Sequence, residues 1–168
     1  VLMNISNDLE TIGDLIETNL VSVGLKRLEK DFKFNDDELR ILMLIHSNIS
    51  KSLDECIQAT INNDITLAEN VIKRKYYIRK LINDAHKEHN ITVRAKSRKL
   101  HAYAAENDII DNLQRIYYHT RRIARYLVES YEKFGTINTL EENTIDEAVE
   151  QEDANNSIDI DTESTTKT

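Results

Sequence analysis

A chain of 168 residues with no proline and only three glycines has few ways to turn sharply. Average usage would supply roughly 8 prolines and 12 glycines over this length. Sandwiches and barrels depend on turns built from these residues, so an all-β fold is excluded and an α/β fold is disfavoured. Long helices joined by a few polar breaks remain. The expected fold is all-α, an antiparallel helical bundle.

Apolar spacing supports four helices. Leu2, Ile5, Leu9, Ile12 and Ile16, then Leu20 and Val23 more loosely, recur in steps of three and four and mark one face of a helix. A polar and aromatic break follows over Lys26–Asn35, closed by Asn35 and Glu38 in the spacing of a capping box. The second stripe runs Leu39, Leu42, Met43, His46, Ile49, Leu53, Cys56 or Ile57, and Thr60. Asn62, Asn63 and Asp64 read as a tight break. A third stripe is Ile65, Ala68, Ile72, Tyr76, Arg79 and Ile82, ending near His89 and Asn90, and Thr92 is a candidate cap for the next helix. The fourth seam, Ile109, Leu113, Ile116, Thr120, Ile123 and Leu127, is expected to stop at Gly135. Loops of two to six residues between helices of this length imply antiparallel neighbours.

The formal charge of −8 is unevenly spread. Residues 137–168 hold ten acids and one base, whereas residues 1–136 are close to neutral at +1. The last thirty-odd residues are rich in Asn, Thr, Ser and acids, and they read as a disordered acidic tail. Residues 73–125 hold 14 bases against five acids. Such a region suits an anionic membrane surface, with nucleic acid the weakest reading because neighbouring Arg and Tyr residues on a helix point apart. Pairing with the −7 of residues 1–72, or with the tail, is the simpler account. The single cysteine, Cys56, excludes an internal disulfide and a thiolate metal cluster. The longest apolar run, Ile41–Ile45, is far short of the ~20 residues that span a bilayer. Because the first residues already lie within a helical stripe, the chain is expected to be a piece of a longer protein.

The first helix carries the clearest chemical signal. Glu10, Asp14 and Glu17 follow the i, i+4, i+7 spacing on the side opposite the apolar stripe, with Asn7 one turn earlier. No Lys or Arg precedes Lys26, so like charges one turn apart repel by a few tenths of a kcal/mol each. Gly13 adds a cost of ~1 kcal/mol relative to alanine. Three carboxylates with a neighbouring amide form a hard-oxygen donor set, suited to a divalent or ferric metal ion. A solvated acidic face, with Gly13 admitting a neighbouring helix, is the plainer alternative. Shifting the chain by 104 residues also lays Ile5, Leu9, Ile12 and Val23 on Ile109, Leu113, Ile116 and Leu127.

The run Asn7-Asp8-Leu9-Glu10-Thr11-Ile12-Gly13-Asp14-Leu15 resembles the signature of the PhoU family of phosphate-homeostasis proteins. That family repeats a three-helix bundle and carries a Glu/Asp-x-x-x-Asp motif on the last helix of each repeat, where metal can bind. The resemblance places Glu10 and Asp14 in the motif, with residues 1–30 as the last helix of a first repeat and residues 37–134 as a second. In the second repeat Gln114 and Tyr118 stand where the carboxylates would be. The Leu113-Gln114-Arg115-Ile116-Tyr117-Tyr118-His119 run is similar to the C-terminal PhoU-like domains of sodium/phosphate cotransporters. Such a likeness implies a cytosolic, non-enzymatic regulatory module. Its partners would be the transmembrane part of the same transporter or a phosphate-signalling protein, and a homodimer is a further expectation. A free-standing adaptor is the alternative.

Other chemistries find less support. The Glu-x-x-His pairs of di-iron bundles are absent. A metal-dependent hydrolase would need a base beside the carboxylates, and the sequence offers none. His86 and His89 share a helix end, where the helix dipole accounts for them.

Overall fold

The computed structural model describes the backbone of residues 2–95 and 100–160, and side chains over residues 2–87 and 101–133. Every secondary-structure element among the described residues is a helix. Helix α1 (Leu2–Asp14) passes through a π-helical turn (Leu15–Leu20) into α2 (Val21–Glu29). It is followed by α3 (Asp36–Asn62), α4 (Ile65–Lys73), α5 (Lys75–Ala95) and α6 (Leu100–Ile160). Two compact units divide the chain, Val1–Glu129 and Ser130–Thr168, and the first is the all-α bundle. No helix among the described residues is long and apolar enough to cross a membrane.

Side-chain bonds fix the helix directions. Asp8 meets His119 while Asn19 meets Asn112, so α1 and the π turn run antiparallel to α6. Ser52 and Glu55 of α3 meet Arg74 at the α4–α5 junction, and the Cys56 thiol donates to the Thr120 carbonyl of α6 at 3.3 Å. Ile45, Ile49, Ile78, Ile110 and Ile123 are the largest apolar side chains closed off from solvent. Each stabilises the fold by about 1.5–3 kcal/mol relative to an exposed counterpart.

The helix ends follow their local chemistry. Asn35 Oδ1 accepts the Glu38 backbone N–H at 2.9 Å, and Glu38 Oε2 accepts the Asn35 N–H at 3.0 Å, which completes the expected capping box. Asn63 closes α3 in the left-handed conformation (φ 52°), and Asp64 Oδ1 accepts from the Leu67 N–H to start α4. The expected third helix is divided at Arg74 into α4 and α5, and two further boundaries differ from those expected. Thr92 lies within α5, which continues to Ala95, and the next helix opens at Leu100. The stop expected at Gly135 does not occur, since the α6 backbone continues to Ile160. A glycine ends a helix by taking a positive φ, and no described glycine does so. The side chains of residues 134–160, and all of residues 161–168, lie outside the described residues, so the expectation of a disordered tail is not addressed by them.

The buried faces are rotated from the apolar stripes by about one residue on α1, α3, α4 and α5. On α3 the core takes Leu42, Ile45, Ile49, Ser52, Cys56 and Ala59, leaving Leu39, Met43 and Ile57 exposed. On α4 and α5 it takes Ala68, Val71, Ile78 and Ile82, while Tyr76 and Arg79 face out. On α1 it takes Ile5, Asp8 and Ile12, with Leu9 and Ile16 nearly half exposed. Tight helix contacts favour small residues such as Ser52, Ala59 and Ala68, which a hydrophobic count overlooks.

The π turn has a packing cause. Leu15 and Val23 are buried, and between them Asn19, which bonds Asn112 of α6, and Leu20, which packs on the core, are both partly buried. In an α-helix a step of five rotates the side chain by about 140°, away from the core. A π turn absorbs the extra residue, and the inward face continues into α2.

Gly13 is not required by packing. A Cβ there meets nothing within 4 Å, so no helix among the described residues uses the space. Gly13→Ala is expected to raise stability by ~1 kcal/mol, measured by urea unfolding. An unchanged or lower midpoint would refute this account of the site.

Candidate functional site

The exposed side of α1 carries the predicted donors. Asn7, Glu10 and Asp14 all face solvent on regular α-helix, and Glu17 is exposed within the π turn. Glu10 and Asp14, at i and i+4, are neighbours on one face with Cβ atoms about 6 Å apart. Glu17 is displaced from this line, because a π turn rotates the chain less per residue than an α turn. The Asn7 backbone carbonyl accepts the Thr11 hydroxyl at 2.8 Å. Among the described residues no three His, Cys, Asp or Glu side chains are assembled to hold a metal ion. What α1 presents is a pair of hard oxygen donors, which fits a cation whose remaining ligands come from water or a second molecule.

Behind this face lies a charged cluster that stripe counting passed over. Asp8 is 3% exposed among apolar neighbours on α1. His119 Nδ1 lies 2.7 Å from Asp8 Oδ1, and Arg122 Nη1 lies 3.4 Å from the same oxygen. The other carboxylate oxygen, Oδ2, is buried without a hydrogen-bond partner. Arg122 also donates from Nη2 to the Tyr126 hydroxyl at 2.8 Å and lies against the faces of Tyr118 and Tyr126. That hydrogen bond, with Asp8 as a further contributor, shifts the Arg122 pKa upward and holds the guanidinium charged. The cluster ties the back of the carboxylate helix to α6. A signal was available in the sequence: Asp8 lies three after Ile5 and four before Ile12, at an inward position.

The basic middle of the chain is partly neutralised by the front third, as the simpler account expected. Arg74 Nη1 lies 2.7 Å from Glu55 Oε2, and Arg122 reaches Asp8. Other bases are differently placed. Lys75 and Arg79 of α5 and Arg121 of α6 line a cleft of about 360 Å³. His86 is half-buried on α5, and the His89 side chain lies outside the described residues. Cys56 is 1% exposed, and burial pushes its thiol up to about 12. At that value the thiolate needed of a nucleophile is scarce.

No family profile, curated protein or solved structure matches this chain.

Proposed function

We propose that this chain is a PhoU-like, non-enzymatic regulatory module of phosphate homeostasis, acting on the cytosolic face of a sodium-dependent phosphate transporter. The observation that carries the reading is the Glu10 and Asp14 pair, displayed outward on the run that resembles the PhoU signature. The all-α bundle is compatible with it. In this reading Glu10 and Asp14 hold a divalent or ferric ion, with Glu17 and Asn7 assisting from either side. The ion supplies positive charge at the surface of α1 and a point of attachment for carboxylate or phosphate oxygens of a partner. The Asp8 cluster holds α1 against α6, so occupancy of the outer face can be felt by the last helix.

Metal analysis of the purified chain tests the site. Wild type is expected to retain a stoichiometric hard cation, and the Glu10→Gln/Asp14→Asn variant to lose it while keeping its helical signal. Removing the like-charge pair should itself raise apo stability by a few tenths of a kcal/mol. Equal metal content in the two proteins would remove the site. Expression of the transporter's membrane part beside this chain tests the partner: phosphate uptake that is indifferent to the chain argues for the free-standing adaptor.

A further inference from the structure

The cleft between α5 and α6 has the composition of a ligand site and lies on elements other than the carboxylate face. Three cations line it, Lys75, Arg79 and Arg121, and no acidic residue does. Four bases of these helices are paired: Lys73 with Glu69, Arg74 with Glu55, Lys87 with Asp84, and Arg122 with Asp8. Among the described residues Lys75, Arg79 and Arg121 have no ion-pair partner, and even the buried Nε of Arg121 lacks an acceptor. Three unpaired cations around one concavity repel one another and raise the local potential, which an anion relieves.

Size and wall chemistry narrow the anion. A volume of about 360 Å³ falls at the lower end of small-molecule sites and is much larger than a lone phosphate requires. Ile78 and Ile82 provide apolar floor, and Tyr117 and Tyr118 provide aromatic wall. The Tyr117 hydroxyl donates to the Val71 carbonyl at 2.9 Å, which fixes that wall. Gln114 and Asn83 add amides able both to donate and to accept. Gln114 and Tyr118 are also the two positions that a second carboxylate motif would occupy. As an amide and a phenol they leave the cleft without the negative charge that would repel an anion.

We infer that the α5–α6 cleft binds a phosphate ester of nucleotide size, its phosphates on Lys75, Arg79 and Arg121 and its flat body against Tyr118. Guanidinium groups bind phosphate through paired N–H donors, and bases stack on aromatic faces. This inference rests on the lining residues alone and stands whether or not α1 binds metal.

Calorimetric titration of the full chain tests it, with ATP as the probe. Inorganic phosphate and phosphatidylserine-containing vesicles serve as separate arms. Saturable ATP binding is expected, weakened about tenfold or more by Arg121→Gln and by Gln114→Glu. Gln114 is exposed, so Gln114→Glu reports on charge in the cleft without disturbing the core. Arg115→Gln, an equal loss of charge at a residue outside the cleft lining, should leave affinity within twofold. Inorganic phosphate should bind at least tenfold more weakly than ATP. Absence of saturable ATP binding at millimolar concentration would overturn the inference, as would equal weakening by Arg115→Gln. Phosphate as tight as ATP, or binding to vesicles alone, would also overturn it.

Discussion

Raising the pH from 9 to 12 is expected to unfold the bundle cooperatively, through two buried acids that resist losing their protons. Burial pushes the Cys56 thiol from 9.0 up to about 12, opposed weakly by a backbone hydrogen bond at Ala124. Burial also pushes the Tyr117 phenol from 10.0 up to about 12, opposed by the charges of Arg121 and Arg74. Below pH 9 both groups are protonated whether the chain is folded or not, so their contribution is fully present. Above it the unfolded chain releases these protons while the fold retains them, and stability falls until pH passes about 12. At 1.36 kcal/mol for each pKa unit, the phenol accounts for about 3 kcal/mol and the thiol for about 4. Together they approach the whole stability of an ordinary domain, ~5–15 kcal/mol. The two can be separated, because the unfolded thiol titrates about one pH unit below the unfolded phenol. Urea midpoints between pH 8 and 9.5 should fall clearly more in wild type than in Cys56→Ala. A matching fall in Cys56→Ala would show that thiol burial is not responsible.

The second large effect concerns Asp8. His119→Leu is expected to cost about 3 kcal/mol, because it leaves a carboxylate with 4% side-chain exposure facing only Arg122 at 3.4 Å. Replacing both partners should behave quite differently. In Asp8→Leu/His119→Leu no buried charge is stranded, and two leucines join Ile5 and Ile12 in the core. The double variant is expected within about 1 kcal/mol of wild type or above it. A double-mutant cycle by urea unfolding measures this directly. Additive losses would mean that the pair is not a coupled unit. A restored double variant would show that the Asp8–His119 pair is kept at no gain in stability.

Particular residues show how far the sequence was legible. Asn35 with Glu38, and Asn63 with Asp64, were readable because capping is a contest among groups within four residues of one another. The α6 seam was readable because that helix is central and its inward positions, Leu113, Ile116, Thr120, Ile123 and Leu127, agree with its spacing. The outer helices were misphased by a residue, since half-exposed Leu9, Leu39 and Met43 count as much in a periodicity as buried Ile45. Glu10 and Asp14 were legible as a pair because i, i+4 adjacency is a property of any helix. Glu17 was set apart from them by a π turn that depends on where the core lies.

Proline absence, scarce glycine and 3.6-residue spacing determined that this protein is helical and that Glu10 and Asp14 share a face, and the caps at Asn35 and at Asn63 with Asp64 determined two of its breaks. Those outcomes rest on interactions between residues close in the chain. Tertiary structure alone decided that Asp8 would meet His119 and Arg122, that Cys56 and Tyr117 would be buried, and that Lys75, Arg79 and Arg121 would surround one cleft. Each of these depends on the rotation of one helix against another. Burial and charge pairing across the bundle set that rotation, and no short stretch of sequence encodes it.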